Sequence, residues 1–460
     1  MRVDPRIRVD DLTEALSEFW ELSGSKIRNL EETYDFGFGA PVYTVGGRYT
    51  ARGWTEWTLG FHYGSALLQY EVSEEEDFLR LGREGAVRRM VCHLTHMGVH
   101  DHGFNIVSTF GNLRRLAAEG ILQAQPWEMT CYELALRVSA AVQARRWTPL
   151  PDGGYIYSFN GPHSLFADTM RSLRSLALGH LLGHSLLEEG DREVSLLERL
   201  IRHAQATARY NVYFGRGRDL YDVRGRVAHE SIFNTVDGSY RCPSSQQGYS
   251  PRSTWTRGLA WVMLGFAEQL EFLGSLQGWD VSGITREEVL DLMLETCRAT
   301  CDYYVAQTPA NGIPYWDTAA PGLSRLAQWE DQPADPFNDQ EPVDSSAAAI
   351  AAQALLRLGR YLSHRGDREA GIRYHQAGLT VSAALLASPY LSRDPRHQGL
   401  ILHSVYHRPN GWDHVPAGRA VPCGEASMWG DYHARELALL LWREIQGRPW
   451  LTFWNGGQAA

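Results

Sequence analysis

The sequence lacks three features that would each define a class of protein: a long apolar run, closely paired cysteines and a cluster of basic residues. No stretch of about 18 apolar residues suggests a membrane span, and the N-terminus lacks the apolar core of a secretory signal. The six cysteines have no CxxC spacing, which argues against a disulfide framework or a thiolate zinc site. The net charge is −10 without any lysine- or arginine-rich run, so no nucleic-acid surface is expected. We therefore expect a soluble, cytoplasmic protein with neither a nucleic-acid nor a membrane partner.

Helical periodicity dominates what the sequence does contain. No linker rich in Pro, Gly or Ser separates domains, and no fixed-period repeat supports the rival interpretation of a helical solenoid. We predict one all-α domain over residues 1–460, built from six helical hairpins. Apolar residues at i, i+3 and i+4 mark about twelve amphipathic segments, near 10–23, 57–72, 74–97, 104–119, 128–145, 164–184, 191–210, 255–274, 285–306, 344–362, 367–387 and 425–445.

The connections between these segments alternate in length. Those after even-numbered segments are mostly short, whereas long ones follow odd-numbered segments, at 24–56, 146–163, 211–254, 307–343 and 388–424. In an up-and-down helical toroid all odd-to-even connections fall on one rim, so we expect one elaborated face that carries the active site. The N-termini of the even-numbered helices would converge there, and their free N–H groups favour an anion.

Three aspartates stand at predicted helix starts. Taken singly, Asp101, Asp168 and Asp344 are each explained as helix caps, which stabilise a helix by about 1 kcal/mol. Two such carboxylates that face one mouth become candidates for general acid–base catalysis, because burial and mutual repulsion raise one pKa while the other group stays ionised.

Histidines and one arginine offer further chemistry. No carboxylate or cysteine set completes a coordination sphere around the helically spaced histidines, so we expect no metal at His93, His96, His100 and His102. Arg257 is flanked by Trp255 and Trp261, and is either a buried structural cation or a carboxylate clamp. The planar guanidinium suits bidentate carboxylate binding and the indoles limit solvent, which favours the clamp.

Seven motifs in order resemble those of the unsaturated glucuronyl hydrolases of glycoside hydrolase family 88. The likeness covers residues 50–440, and the tryptophan-rich and DSSAAA segments are the most distinctive parts. It implies an all-α fold, the (α/α)6 barrel or six-hairpin toroid. The motifs are HDHGF (100–104), FADTM (166–170), QQGY (246–249), STWTRGLAW (253–261), PYWD (314–317), DSSAAAIAA (344–352) and WGDY (429–432).

The resemblance also assigns roles to single residues. Asp168 takes the acid–base position and Asp101 that of the second essential aspartate. No metal and no organic cofactor is implied. The positions expected to bind the unsaturated sugar are Trp57, Phe159, His229, Gln247, Arg257 and Trp261, with Phe159 standing near the place of a usual stacking tryptophan.

The chain departs from the family pattern directly after the acid–base residue. Arg171 and Ser172 replace a usual methionine and asparagine, and the segment 321–343 is longer than usual. We expect these changes to alter the sugar-facing wall or the entrance, and with them the choice of substrate.

The implied reaction removes a 4,5-unsaturated uronic acid from the non-reducing end of a lyase-generated oligosaccharide. Protonated Asp168 would add a proton to C4, and water would then attack C5. Two related alternatives are an unsaturated rhamnogalacturonyl hydrolase and a conventional inverting glycosidase. A sugar epimerase or carbohydrate-binding toroid is the alternative from another class, because fold alone does not fix function. The parent polysaccharide, sulfate preference and oligomeric state are left open.

Overall fold

The computed structural model describes residues 1–52 and 56–454, with the backbone alone at Glu56. Twelve principal helices occupy this described part, and none of them combines the length and apolarity that a membrane crossing requires. In chain order they are α1 Thr13–Thr33, α2 Leu59–Ser73, α3 Glu76–Arg89, α4 His102–Ile106 with Val107–Gly111 and Asn112–Ala118, α5 Pro126–Arg145, α6 Thr169–Ser172 with Arg174–Leu181, α7 Leu196–Tyr210, α8 Thr256–Ser275, α9 Arg286–Gln307, α10 Ser345–His364, α11 Arg368–Leu385 and α12 Met428–Ile445.

Even- and odd-numbered helices form two layers. In α10 every residue from Ser345 to Gly359 is buried, whereas α1 buries residues mainly on one face. Helices that are buried all round belong to an inner layer, and amphipathic ones cover it. Each even-numbered helix packs against the next, and α12 packs against α2, which closes the inner ring. The predicted (α/α)6 barrel is confirmed, since solved barrels of this type superimpose on the chain.

Glycines let the first inner helices approach one another closely. A Cβ at Gly60 of α2 would lie 2.4 Å from the carbonyl oxygen of Asn105 in α4. A Cβ at Gly103 of α4 would lie 2.3 Å from the carbonyl oxygen of Ser172 in α6. These contacts leave no room for a side chain, so they fix how the starts of α2, α4 and α6 sit beside one another.

Short antiparallel strands decorate the rim where odd-numbered helices lead into even-numbered ones. Only the β6–β7 hairpin, between α6 and α7, departs from this rule among the described strands. The three-stranded sheet has the order β5-β8-β9, with Leu165 opposite Ser231. The elaborated rim is therefore present. The strands are β1 Pro41–Val45, β2 Arg48–Ala51, β3 Trp147–Leu150, β4 Gly153–Ile156, β5 Ser164–Phe166, β6 Ser185–Glu188, β7 Arg192–Ser195, β8 Glu230–Phe233 and β9 Tyr240–Ser244.

Some predicted helix ends are wrong. The first segment was expected to end near residue 23, but α1 continues to Thr33 through Ser-Gly-Ser-Lys. Gly24 packs under the Phe78 ring, and the buried Lys26 ammonium donates to the Ser392 hydroxyl and the Asp394 carbonyl, so tertiary contacts override the loop-like composition. The third segment ends eight residues early, at Arg89.

Candidate active site

One cavity opens among the N-termini of the inner helices. Five of the six residues expected to bind sugar line it, together with both expected catalytic aspartates. The sixth, His229, lies beside the cavity with its ring against Phe166 and Trp255. The lining is Trp57, His100, Asp101, Phe104, Phe159, Asp168, Gln246, Gln247, Trp255, Arg257, Trp261, Tyr406, His407 and Trp412.

Asp101 and Asp168 meet in this cavity. Asp101 directly precedes α4 and Asp168 directly precedes α6, and neither carboxylate accepts a capping hydrogen bond. The two side chains offer oxygens within 4.8 Å of each other, and the residues are only 7% and 8% exposed. The Gly103 amide donates to the Ser172 hydroxyl at 2.8 Å and so ties the two helix starts together. The two carboxylates are therefore positioned for joint chemistry and do not act as caps.

His100 lies between the two carboxylates. Its Nε2 is 3.5 Å from Asp168 Oδ2 and 3.8 Å from Asp101 Oδ1, and the residue is 1% exposed. The imidazole stacks on Phe159 with a centroid separation of 6.1 Å and meets the edge of Phe166. These apolar rings strengthen the electrostatic interactions among the three groups, because they keep water away from them.

The three groups shift one another's pKa values. Burial raises the pKa of Asp101. Burial also raises that of Asp168, but the adjacent His100 ring and the charge of His229 outweigh it and hold the pKa below its ordinary value. Burial lowers the pKa of His100, yet the two aspartates raise it more. In the free protein the raised carboxyl pKa thus belongs to Asp101 and the lowered one to Asp168.

Asp344 keeps the structural role that the other two aspartates lack. Its Oδ1 accepts the Ser346 amide at 3.1 Å and caps α10, and its Oδ2 accepts from Arg257 Nη1 at 2.8 Å. Position at a predicted helix start suggested a capping role for all three aspartates. The structure supports it for Asp344 only.

Arg257 is held on every side. Besides Asp344, its terminal nitrogens donate to the Val405 carbonyl, to the Tyr406 carbonyl at 2.7 Å and to Gln247 Oε1 at 3.1 Å. The indoles of Trp255 and Trp429 both lie against its guanidinium, with ring centroids 4.5 and 4.9 Å from Cζ. With its terminal N–H groups engaged in this way, Arg257 offers no bidentate clamp in this structure. It instead orients Gln247 and fixes the 405–406 segment of the cavity wall.

Aromatic rings form much of the remaining wall. Trp57 stacks on Trp429 with centroids 5.2 Å apart, and Trp261 packs on Phe104 at 4.8 Å. Tyr406 stands against Trp412 at the side formed by the loop 388–424. Flat apolar rings of this kind match the faces of sugar rings.

His229 orients the 246–247 segment. Its Nδ1 accepts the backbone N–H groups of Gln246 and Gln247 at 3.1 and 3.3 Å, so the ring proton lies on Nε2. Burial lowers the pKa of His229 to about 4, which makes the ring neutral near pH 7. The neutral imidazole therefore presents one N–H donor in the neighbourhood of Asp168.

Two residues of the cavity wall were not predicted from the sequence, and the departure from the family motif at Arg171 and Ser172 was assigned to the wrong part of the structure. Tyr406 and Trp412 were not selected, although aromatic residues in a long rim loop were the available signal. Arg171 was expected to change the sugar-facing wall, but it is fully buried and pairs with Glu268 and Glu436 in the barrel core. Ser172 likewise faces α4. Neither Arg171 nor Ser172 therefore lines the cavity.

The four helically spaced histidines do not converge on one point. His102 Nε2 donates to the His96 carbonyl and Nδ1 bonds to the Ser139 hydroxyl, both at 2.9 Å, so the ring points away from the cavity. Within the described residues, the cluster compact enough to hold a cation is His100, Asp101 and Asp168. The absence of a metal cofactor stays a prediction.

A ring of inner helices whose N-termini enclose two close carboxylates and an aromatic wall is typical of carbohydrate-active proteins of the (α/α)6 type. No protein-family model matches the chain. The chain is 29% identical to an unsaturated glucuronyl hydrolase of Bacillus sp. (strain GL1) over 440 residues, 92% of this chain and 96% of that protein. The crystal structure of the Bacillus sp. GL1 enzyme matches with a TM-score of 0.68 at 25% identity, covering 94% and 97% of the two chains.

A Streptococcus agalactiae unsaturated glucuronyl hydrolase, solved with the saccharide dGlcA-GalNAc6S, has the same fold. Its TM-score is 0.63 at 18% identity, covering 95% of this chain and 93% of that one. The resemblance to the unsaturated glucuronyl hydrolases that the motifs indicate is confirmed by these relatives.

Proposed function

We propose that this chain is an unsaturated glucuronyl hydrolase. It releases a 4,5-unsaturated uronic acid from the non-reducing end of lyase-generated oligosaccharides. The observation that carries this proposal is the cluster of Asp101, His100 and Asp168, with donor atoms within 4.8 Å of one another inside an aromatic cavity. The similarity to named hydrolases over nine-tenths of the chain supports it.

The chemistry follows from the substrate's C4=C5 bond, a vinyl ether conjugated to its carboxylate. Asp168 gives a proton to C4, which leaves positive charge shared by C5 and the ring oxygen. Water attacks C5 and returns a proton to Asp168. The resulting hemiketal opens and expels the remaining sugar. Asp101 lies close enough to stabilise the positive charge or to orient the attacking water.

The inverting alternative makes a prediction about the distance between the two carboxyl groups. Inverting glycosidases hold their two carboxyl groups about 6.5–9.5 Å apart to admit a water molecule, whereas oxygens of Asp101 and Asp168 lie within 4.8 Å. Analysis of the reaction products distinguishes these functions. A ring-opened keto acid supports hydration of the C4=C5 bond, and a saturated sugar of inverted anomer supports the inverting glycosidase. An epimerised or unchanged sugar supports a sugar epimerase or a carbohydrate-binding protein. Unsaturated galacturonyl-rhamnose substrates test the rhamnogalacturonyl alternative.

We also propose that residues 1–460 form one catalytic domain, because α12 packs against α2 and closes the ring. Residues 53–55 and 455–460 lie outside the described residues. A cytoplasmic location stays a prediction, for which cell fractionation is the test.

The direct test follows the ultraviolet absorbance of the ene-carboxylate in unsaturated disaccharides, with a chelator present because the mechanism uses no metal. Asp168→Asn and Asp101→Asn should each lower kcat by about 100-fold or more, since each loses a group that acts on the reacting atoms. Asp237→Asn, at an exposed turn between β8 and β9, is the matched control and should keep full activity. Unimpaired turnover by Asp168→Asn contradicts its assignment.

A further inference from the structure

His100 is a buried imidazole whose hydrogen-bonding capacity is unused. Neither ring nitrogen has a well-aligned hydrogen-bond partner among the described residues, although the residue is 1% exposed. Two other buried histidines differ from it: His102 bonds to Ser139 and to the His96 carbonyl, and His203 accepts the Ile156 amide at 3.0 Å. Leaving a buried polar group without a partner is energetically costly, so the unpartnered ring of His100 points to a role in function.

The charges around His100 favour its protonated form. Asp101 and Asp168 lie within 4 Å of Nε2. Arg146, at the end of α5, opposes them, but it is tied to the carbonyls of Tyr157 and Ser158. Two carboxylates against one guanidinium leave a net negative environment. The titratable and charged groups that face His100 from the packed elements are Asp101, Asp168, Arg146, His203 and His229.

The environment of His100 also affects how Asp168 obtains the proton that the proposed reaction needs. The mechanism needs a proton on Asp168, yet His100 holds the pKa of Asp168 below its ordinary value in the free protein. The proton must therefore reach Asp168 after the substrate arrives. The nearest group able to hold one is His100, with its Nε2 3.5 Å from Oδ2.

We propose that His100 is a positioning residue that stores the proton Asp168 uses. The inference rests on the proposed function. When a uronate enters, its negative charge beside Asp168 favours the neutral carboxyl, and the proton passes from His100 Nε2 to Asp168 Oδ2. Asp168 then forms the C4–H bond with that proton, and the water that attacks C5 gives one of its own protons back to Asp168. After the product leaves, the proton returns to Nε2, so the cycle consumes one water and no net proton.

His100→Gln tests this role through the pH profile. Glutamine fills a similar space and can hydrogen-bond, but it does not bind a proton in the neutral range. We expect kcat/KM at pH 7 to fall about 100-fold. The alkaline limb of kcat/KM should move to lower pH, because a carboxyl alone binds a proton less tightly than an imidazole between two carboxylates. An alkaline limb at the wild-type position in His100→Gln overturns the proposal.

His102→Gln is the matched control. It changes another buried histidine of the same segment, one whose hydrogen bonds point away from the cavity. The limb should stay where it is in the wild type. A limb that moves equally in both variants reports general damage to this segment and also counts against the assignment to His100.

A second measurement needs no turnover. The imidazole ¹⁵N resonances of His100, identified by their loss in His100→Gln, should report a protonated ring at pH 7 in the free protein. Asp168→Asn should lower the pKa of His100, because it removes one of the two neighbouring carboxylates. A neutral ring at pH 7, or a titration that Asp168→Asn leaves unchanged, contradicts the proton store. A wild type inactive on every unsaturated saccharide rejects the proposed function and leaves this measurement able to decide on His100.

Discussion

Three aspartates at helix starts look alike in sequence and differ in what their carboxylates contact. Asp344 accepts amides of its own helix and the guanidinium of Arg257. Asp101 and Asp168 accept no capping bonds and face each other across His100. A capping carboxylate accepts hydrogen bonds from amides of its own helix, whereas the carboxylates of Asp101 and Asp168 contact side chains from other elements. Residue spacing along the sequence does not predict contacts of the second kind.

The same Asp→Asn change should therefore affect folding in opposite directions at two of these positions. Asp344→Asn leaves Arg257 buried without its charge partner and should lower the free energy of unfolding by about 3 kcal/mol or more. Because burial raises the folded pKa of Asp101 above its unfolded value, ionisation of Asp101 destabilises the fold as the pH rises from the unfolded pKa to the folded one. Asp101→Asn removes that cost at neutral pH and should leave the protein as stable as the wild type or more stable.

Urea unfolding at pH 7 measures both effects. Equal destabilisation by the two substitutions would show that Asp101 is also a structural carboxylate. The comparison uses no substrate, so its outcome does not depend on the proposed activity.

At the scale of elements, buried ion pairs join the inner helices below the cavity. Arg171 and Arg174 of α6 contact Glu436 of α12 at 2.9 and 3.2 Å, and Arg171 also contacts Glu268 of α8. Burial raises the pKa of Glu436, but the two arginines outweigh it and hold that pKa far below its usual range. Glu436 therefore contributes stability at neutral pH, which is lost only as the pH falls from its unfolded pKa towards its folded one.

Glu436→Gln tests this network. It leaves two guanidinium groups short of a buried counter-charge, so the free energy of unfolding should fall by about 3–5 kcal/mol at pH 7, and by less at acidic pH. Glu444→Gln, on the same helix, removes a partly exposed pair with His375 and should cost about 1 kcal/mol at most. Urea titrations at two pH values decide the matter. A small effect of Glu436→Gln would mean that water solvates the two guanidinium groups once the carboxylate is lost.

Much of the helical framework could be predicted from the sequence, because apolar residues recur at i, i+3 and i+4 and the loop lengths alternate. The helix ends were predicted less accurately. Helix α1 continues through Gly24 because this residue packs against the Phe78 ring, a contact between distant parts of the chain. In the cavity, the sequence motifs identified Asp101 and Asp168. They did not predict that Arg257 binds the backbone carbonyls of residues 405–406, which are distant in the sequence. The burial of Arg171 in the barrel core could not be predicted for the same reason, because its partners Glu268 and Glu436 lie on other helices.

At the scale of the whole molecule, a net charge of −10 opposes the approach of an anionic saccharide. Local groups act only at short range, so the long-range field should repel the proposed substrate. Salt weakens this repulsion, because the Debye length falls from about 30 Å at 0.01 M to about 8 Å at 0.15 M ionic strength. Raising the salt over that range should increase kcat/KM about twofold and leave kcat unchanged, as measured with an unsaturated disaccharide at constant pH. A fall in kcat/KM would instead show that cationic groups near the entrance dominate the field that the substrate meets.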